Sequence, residues 1–194
     1  MQIAGIDYGK KLNGTTVLCS YDEQNVQWYA AAKQQDADQF LKDQIAALQP
    51  RKLFIDAPLS LPGIYWLGKP CTDYFYREAD KAVKGMSPMF LGALTARAIK
   101  FKDAMVELGI SCYEAYPAGL AKEWQLKALG YKGTKEHIKP VSQQIQNQTG
   151  ISVNPENLKD WHHVDALLAL CSGLRYEKNQ HVTFGNPEEG EVIV

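Results

Sequence analysis

The strongest constraint on the fold comes from two short apolar segments, at residues 2–8 and 52–56. Each of them ends in or next to a carboxylate. The second segment follows a stretch at 36–48 whose apolar residues recur at helical spacing, with Asp36 at the N-cap and Pro50 as the stop. A strand, a helix and a second strand in this order favour a right-handed crossover that sets the two strands side by side. The pattern therefore predicts an α/β sheet built around these two segments.

Further strands extend this predicted sheet on both sides. Residues 15–20 and 26–32 are separated by a polar turn at 21–25, which favours an antiparallel meander with the first strand. A fifth strand is predicted at 110–115 and a short one at 191–194. Three antiparallel strands extended by parallel ones, with helices on the faces, are the core of the ribonuclease H fold. The predicted fold class is therefore α/β, a ribonuclease H-like mixed sheet with flanking helices and a helical insertion.

The chain of 194 residues is predicted to form a single domain over 1–194, because domains usually hold ~100–200 residues. A loop rich in proline and glycine at 58–70 opens the helical insertion, which is predicted at about 63–108. The tail is expected to turn at Gly185, Asn186 and Pro187. Helices are predicted at 72–84, 91–108, 118–129, 134–148 and 160–177.

Charge and cysteine usage exclude several classes of protein. The net charge is −1, whereas dedicated nucleic-acid binders are usually basic, so any contact with nucleic acid is expected to be weak or transient. The four cysteines form no CxxC pair, which disfavours a zinc site, and Cys19, Cys112 and Cys171 are predicted to be buried thiols in a reducing compartment. Charged residues follow closely on the N-terminus and no apolar run approaches ~18 residues, so we expect a soluble cytoplasmic protein without a membrane segment.

Four acidic residues stand where burial makes a charge costly. Asp7 and Asp56 end the first and fourth predicted strands, Glu114 lies near the end of the fifth, and Asp165 lies on the last long helix. If the first and fourth strands are parallel neighbours, Asp7 and Asp56 emerge at the same edge, where open α/β sheets bind ligands. Carboxylates without a cysteine or histidine set prefer Mg²⁺ or Mn²⁺. The four carboxylates are therefore a candidate site for a divalent cation.

Each of these residues also has a purely structural interpretation. A single aspartate at a strand end is often a turn former or a helix cap, and Glu114 can pair with Arg77 or Arg97. His162 shares a helix face with Asp165 at a spacing of three, so it is a candidate general acid or supporting group, or else a polar residue of the first helical turn.

The segment after Asp56 adds candidate substrate contacts. Arg77 and Asp80 share one predicted helical face, where they could hold a substrate phosphate or simply each other. Lys132 is a further candidate phosphate contact. The break at 86–88 between two predicted helices is either a hinge for a lid or a plain turn.

Six stretches together resemble the domain-of-unknown-function family DUF429: IAGIDYG at 3–9, IDAPLSLP at 55–62, READ at 77–80, EAYP at 114–117, HHVDALLA at 162–169 and GNPEEGEVIV at 185–194. The resemblance covers nearly the whole chain and implies a predicted nuclease with a ribonuclease H-like fold. It also implies that Asp7, Asp56 and Asp165 occupy acidic site positions, with Glu114 close by and Arg77 and Asp80 lining the cleft. The opening strand is similar to that of Holliday-junction resolvases as well, but the near-neutral charge and the insertion at 63–108 depart from that pattern.

Three functions follow from these observations. The first is a metal-dependent nuclease or phosphodiesterase, in which Asp7, Asp56 and Asp165 hold Mg²⁺ or Mn²⁺ and Glu114 is an outer ligand or base. The second is a nucleotide-binding or small-phosphoester protein of the actin and sugar-kinase type, which generally needs two such domains and hence a homodimer here. The third is a non-catalytic binding protein, in which the aromatic residues at 65–66 and 74–76 contact a partner or a second copy instead of filling the core or a lid.

Overall fold

A computed structural model describes residues 3–22, 25–68 and 71–194. Its centre is one mixed sheet of seven strands in the order β3-β2-β1-β4-β5-β7-β6. The strands are β1 (Ile3–Asp7), β2 (Val17–Tyr21), β3 (Val26–Ala30), β4 (Lys52–Asp56), β5 (Ser111–Ala115), β6 (Thr183–Asn186) and β7 (Gly190–Ile193).

The direction of pairing agrees with the predicted meander and crossover. Strand β1 pairs antiparallel with β2 and β2 antiparallel with β3, while β1, β4, β5 and β7 run parallel. Strand β6 closes the sheet as an antiparallel neighbour of β7. Asp7 and Asp56 are direct partners in the register of β1 and β4, so their side chains leave the sheet at the same edge, as predicted.

Helices cover both faces of the sheet and bury two separate apolar cores. The side chains of Ile3, Val17 and Phe54 face one core, while those of Ile6, Leu53 and Ile55 face the other, as the alternation of a strand requires. Helices α5, α6 and α7 pack on the first face, and α1 and α4 on the second. The helices are α1 (Ala37–Leu48), α2 (Glu78–Val83), α3 (Pro88–Leu91), α4 (Ala93–Glu107), α5 (Pro117–Glu123), α6 (Ile138–Thr149) and α7 (Trp161–Glu177), and short 3₁₀ turns lie at Gly63–Tyr65, Leu126–Leu129, Lys135–His137 and Pro155–Asn157.

Helix α7 lies unusually close to the central strand. A Cβ atom added to Gly5 would come within 2.1 Å of the Leu170 backbone nitrogen, so only glycine permits this approach. The helix is buried along most of its length, and Asp160 caps its N-terminus by accepting from the backbone N–H groups of His162 and His163. The close packing holds Asp165 over the edge where β1 ends.

The helix predicted at 72–84 is wrong in its first half. The Asp73 carboxylate accepts from the backbone N–H groups of Phe75 and Tyr76, which stabilises a turn in place of a helix. The helix begins only at Glu78, after Arg77 in an extended conformation. The local side-chain hydrogen bonds therefore outweigh the helical spacing of this segment.

The predicted helix at 91–108 is divided in two. Ser87 caps α3 with Pro88 in its first turn, and Gly92, with a φ of 51°, separates α3 from α4. Helix α4 packs its buried residues Ala98, Phe101 and Met105 into the second core. The last part of the predicted insertion at 63–108 is therefore the crossover helix that connects β4 to β5.

Three further predictions need adjustment. The stretch at 118–129 splits into α5 and a 3₁₀ turn, because Gln125 adopts a left-handed conformation between them. Gly185 and Asn186, predicted as a turn, belong instead to strand β6. All four cysteines are free, and Cys112 is half-buried, unlike Cys19 and Cys171, because it lines an open pocket.

The aromatic residues at 65–66 and 74–75 are exposed, so they are not core residues. Tyr65 and Tyr74 contact each other edge to face, and Phe75 contacts the exposed Phe90. None of the helices in the described parts of the chain combines the length and apolarity needed to cross a membrane.

Candidate metal site

The side chains of Asp7, Asp56 and Asp165 meet at the carboxyl end of β1 and β4. One carboxylate oxygen of each residue lies within 4.8 Å of the corresponding oxygens of the other two. Two ligands on opposite sides of Mg²⁺ are about 4.2 Å apart, because each bond is about 2.1 Å long. The three oxygens are therefore close to the spacing of a single coordination shell, and a small inward movement would complete it.

Asp7 and Asp165 each have a partner from the protein. The Nδ1 atom of His162 lies 2.6 Å from Oδ2 of Asp7, and this hydrogen bond raises the pKa of His162. The Tyr131 hydroxyl donates to one oxygen of Asp165, and Nζ of Lys132 lies 2.9 Å from the other. The structure thus places His162, a candidate general acid or supporting group, and Lys132, a candidate phosphate contact, against the carboxylates themselves.

Asp56 differs from its two neighbours. Its carboxylate receives no hydrogen bond and no ion pair from any residue that the structure describes. Burial and, next, the negative charges of Asp7 and Asp165 raise its pKa well above the ordinary value. A carboxylate beside two others is stabilised by a proton or by a cation, and a divalent cation would relieve the repulsion among all three groups at once.

Lys132 is the movable cation of the cluster. Its side chain is 53% exposed, and its backbone adopts a left-handed conformation with a φ of 61°. Burial alone would lower its pKa, but the charge of Asp165, together with those of Asp56 and Asp7, raises it overall. A half-exposed lysine tethered through a single carboxylate can release that oxygen to a metal ion and turn toward an anionic substrate.

Glu114 belongs to a separate network. Both of its oxygens accept from the Arg77 guanidinium at 2.7 Å, and Oε2 also accepts from the backbone N–H of Leu59. Burial raises the pKa of Glu114, and the hydrogen bonds from Arg77 oppose that rise. The structure therefore places Glu114 in a pair with Arg77, the alternative interpretation of this residue, and outside the set of oxygens shared by Asp7, Asp56 and Asp165.

Arg77 does not reach a substrate. Its side chain is 0% exposed, and its five N–H donors are taken up by Asp80, Glu114 and Ser60. Asp80 uses both oxygens on Arg77, so it borders the cleft without a free acceptor directed at a ligand. The structure thus shows the alternative predicted for Arg77 and Asp80: the two side chains hold each other, and Arg77 ties α2 to β5 through Glu114.

Tyr131 is the member of the site that the sequence did not reveal. It comes from the irregular segment between α5 and α6, where Gly130 and Lys132 both have positive φ angles. Those two conformations turn consecutive side chains, Tyr131 and Lys132, toward the same carboxylate. The only local signal is the Gly-Tyr-Lys-Gly run at 130–133, which indicates a turn but not its target.

A pocket of about 560 Å³ adjoins the carboxylates, with Asp56 and Lys132 in its lining. Most of the other lining side chains are apolar or aromatic, including Tyr8, Val83, Leu94 and Tyr116. The site therefore combines a charged edge with a neighbouring apolar cavity.

Comparison with known proteins identifies no relative: no family model, no curated protein and no solved structure matches the chain. The fold and the site define an α/β protein with a mixed seven-stranded sheet and a three-aspartate cluster at one sheet edge.

Proposed function

We propose that the chain is a divalent-cation-dependent phosphodiesterase of the ribonuclease H-like kind, in which Asp7, Asp56 and Asp165 hold Mg²⁺ or Mn²⁺. The observation that carries the proposal is the meeting of one carboxylate oxygen from each of Asp7, Asp56 and Asp165 within 4.8 Å, where Asp56 receives no hydrogen bond or ion pair from the described residues. Its position next to Asp7 in parallel register places both ligands on rigid strands, which suits a preorganised metal site.

The sheet supports the choice of fold. The order β3-β2-β1-β4-β5, with three antiparallel strands extended by two parallel ones, is the arrangement expected for a ribonuclease H-like core. Membership of the DUF429 family is part of the same proposal, and it is consistent with the sequence motifs at 3–9 and 162–169 lying at this edge.

When bound, the cation would polarise a phosphoryl oxygen and lower the pKa of a coordinated water. The residues of the chain supply the remaining functions. His162 fixes the orientation of Asp7 and presents a half-exposed imidazole that can accept or return a proton. Lys132 offers a positive charge to the phosphate, and Tyr131 keeps Asp165 in place.

The proposal is tested by Mn²⁺-dependent hydrolysis of a short single-stranded oligonucleotide. The substitution Asp7→Asn should reduce cleavage by at least about 100-fold, because it removes a ligand charge, and removal of Mn²⁺ with a chelator should abolish cleavage. The matched control is Asp103→Asn, whose side chain is 64% exposed and lies outside the cluster, and it should retain full activity. Equal rates for the wild type and Asp7→Asn would contradict the proposal.

The second candidate is hydrolysis or binding of a small phosphoester such as a nucleotide. The observation that favours it is the 560 Å³ pocket beside the carboxylates, since pockets of ~300–1,000 Å³ accommodate small molecules. A thermal shift with a nucleoside triphosphate and none with an oligonucleotide would favour this function over nucleic-acid cleavage.

A further inference from the structure

The pocket beside the metal site is assembled from several separate segments of the chain. Asp56 and Pro58 contribute from the end of β4, Val83 and Leu94 from α2 and α4, and Tyr116 from the end of β5. Asp56 and Lys132 belong to both the pocket and the carboxylate cluster, so a group in the pocket is adjacent to any phosphate held at the cluster.

The chemistry of the lining is mixed in a way that suits one kind of ligand. The half-buried ring of Tyr116 and the aliphatic side chains of Val83, Leu91 and Leu94 provide surface for a flat, weakly polar group. Lys84 and Lys132 provide positive charge in the same cavity, and two of its three acidic residues, Asp80 and Glu114, are held by Arg77. A nucleoside phosphate has both features, a base that packs on apolar and aromatic surface and a phosphate that attracts lysine.

The size of the cavity limits how much of a nucleic acid it can take. At about 560 Å³ it falls within the range of ~300–1,000 Å³ that is typical for small-ligand pockets. That volume accommodates a single nucleoside unit but not a stacked duplex. The net charge of −1 also disfavours a duplex as the ligand, because tight duplex binding requires many lysine and arginine contacts with phosphates.

We propose that this pocket seats one unpaired nucleoside of the phosphodiester that is cleaved at the carboxylate cluster, so that the enzyme acts on dinucleotides or on the unpaired end of a strand. This inference rests on the proposed function. In the step itself, the oxygen of water forms a bond to phosphorus and one phosphorus–oxygen ester bond breaks. The departing alkoxide oxygen takes up a proton, which leaves a phosphomonoester and an alcohol.

The experiment compares three substrates in the presence of Mn²⁺: a thymidine dinucleotide, a single-stranded oligothymidylate, and the same strand in a blunt duplex. At least one of the two unpaired substrates, the dinucleotide or the single strand, should be cleaved with release of mononucleotides. The duplex should be cleaved at least about tenfold more slowly, because a base must first be unpaired. A duplex cleaved as fast as the single strand, or a strand cut only at internal positions, would overturn the inference.

A substitution that fills the pocket gives the second arm. Ala118 lines the cavity but is not part of the carboxylate cluster, so Ala118→Trp should lower release of mononucleotides about tenfold or more while leaving Mn²⁺ affinity unchanged. The matched control is Ala96→Trp at an exposed position of α4 outside the pocket, which should behave as the wild type. Undiminished cleavage by Ala118→Trp would overturn the inference.

If the Ala118→Trp variant does not fold, a measurement of nucleotide binding to the wild-type protein still tests the inference. Calorimetric titration of the wild-type protein with thymidine monophosphate should give saturable binding that depends on Mn²⁺. If Mn²⁺ binds but thymidine monophosphate does not, the pocket inference fails and the proposed metal site stands. If Mn²⁺ does not bind and no substrate is cleaved, the proposed function itself fails and the inference falls with it.

Discussion

Asp56 and Glu114 end neighbouring strands, yet they have opposite electrostatic surroundings. Glu114 is held by the buried guanidinium of Arg77, which makes it a structural ion pair. Among the residues that the structure describes, the charged groups that act on Asp56 are the carboxylates of Asp7, Asp165 and Glu114 and the ammonium group of Lys132. The difference between the surroundings of these two carboxylates therefore lies in one arginine contributed by a distant segment.

The Arg77 network yields a prediction at this scale. Replacing Arg77 by Met should lower the free energy of unfolding by about 3–5 kcal/mol, because Asp80 and Glu114 would be left buried without a counter-charge. Denaturant unfolding measures the change. The control is Lys81→Met, which removes the exposed ion pair with Asp73 and should cost far less. Equal losses for the two variants would show that the Arg77 network has no special role.

At the scale of elements, α7 carries Asp165 and His162 to the edge of the sheet. Its N-terminus is held by Asp160, whose pKa is lowered to about 2, chiefly by the hydrogen bond from His163 at 2.7 Å. A carboxylate with a lowered pKa stabilises the fold at pH values above its unfolded value, near 3.8, and that contribution is lost as the pH falls toward 2.

The predicted consequence is a pH-dependent effect of Asp160→Asn. Asparagine still caps a helix, so the variant loses the charge but keeps the cap. Because Asp160 is partly exposed, the loss at pH 7 should be about 1 kcal/mol, and it should shrink toward zero between pH 4 and pH 2. Thermal unfolding across that range measures it, with Asp43→Asn on the exposed face of α1 as control. A difference that stays constant with pH would contradict this account of the cap.

At the scale of the whole molecule, the sequence was sufficient to predict the parts of the sheet that follow from local pattern. The order of strands and the right-handed crossover predicted that β1 lies beside β4. Because parallel neighbours end at the same edge of a sheet, they also predicted that Asp7 lies beside Asp56, as the register shows. Asp165 followed from its place on a long apolar helix. These relations follow from the periodicity of apolar residues and from the handedness of strand connections. Both can be inferred from one sequence.

The remaining features depend on contacts between distant segments, which local pattern does not encode. The turn at Asp73 that displaced the start of α2 depends on which N–H groups its side chain captures. The contact of Tyr131 with Asp165 depends on two left-handed residues in an irregular segment. The ion pair between Arg77 and Glu114 depends on how α2 packs against β5.

The central claim is that the Asp56 carboxylate is balanced by a bound cation and not by a protein side chain. The thermal stability of the Asp56→Asn variant tests this claim most directly. Without metal at pH 8, the substitution should raise the stability by about 1 kcal/mol, or a Tm increase of about 2–4 °C, because it removes a charge that its neighbours repel. Added Mn²⁺ should raise the Tm of the wild type and leave that of the variant nearly unchanged. A metal-free variant that is less stable than the wild type, with the same Mn²⁺-induced shift in both proteins, would contradict the account.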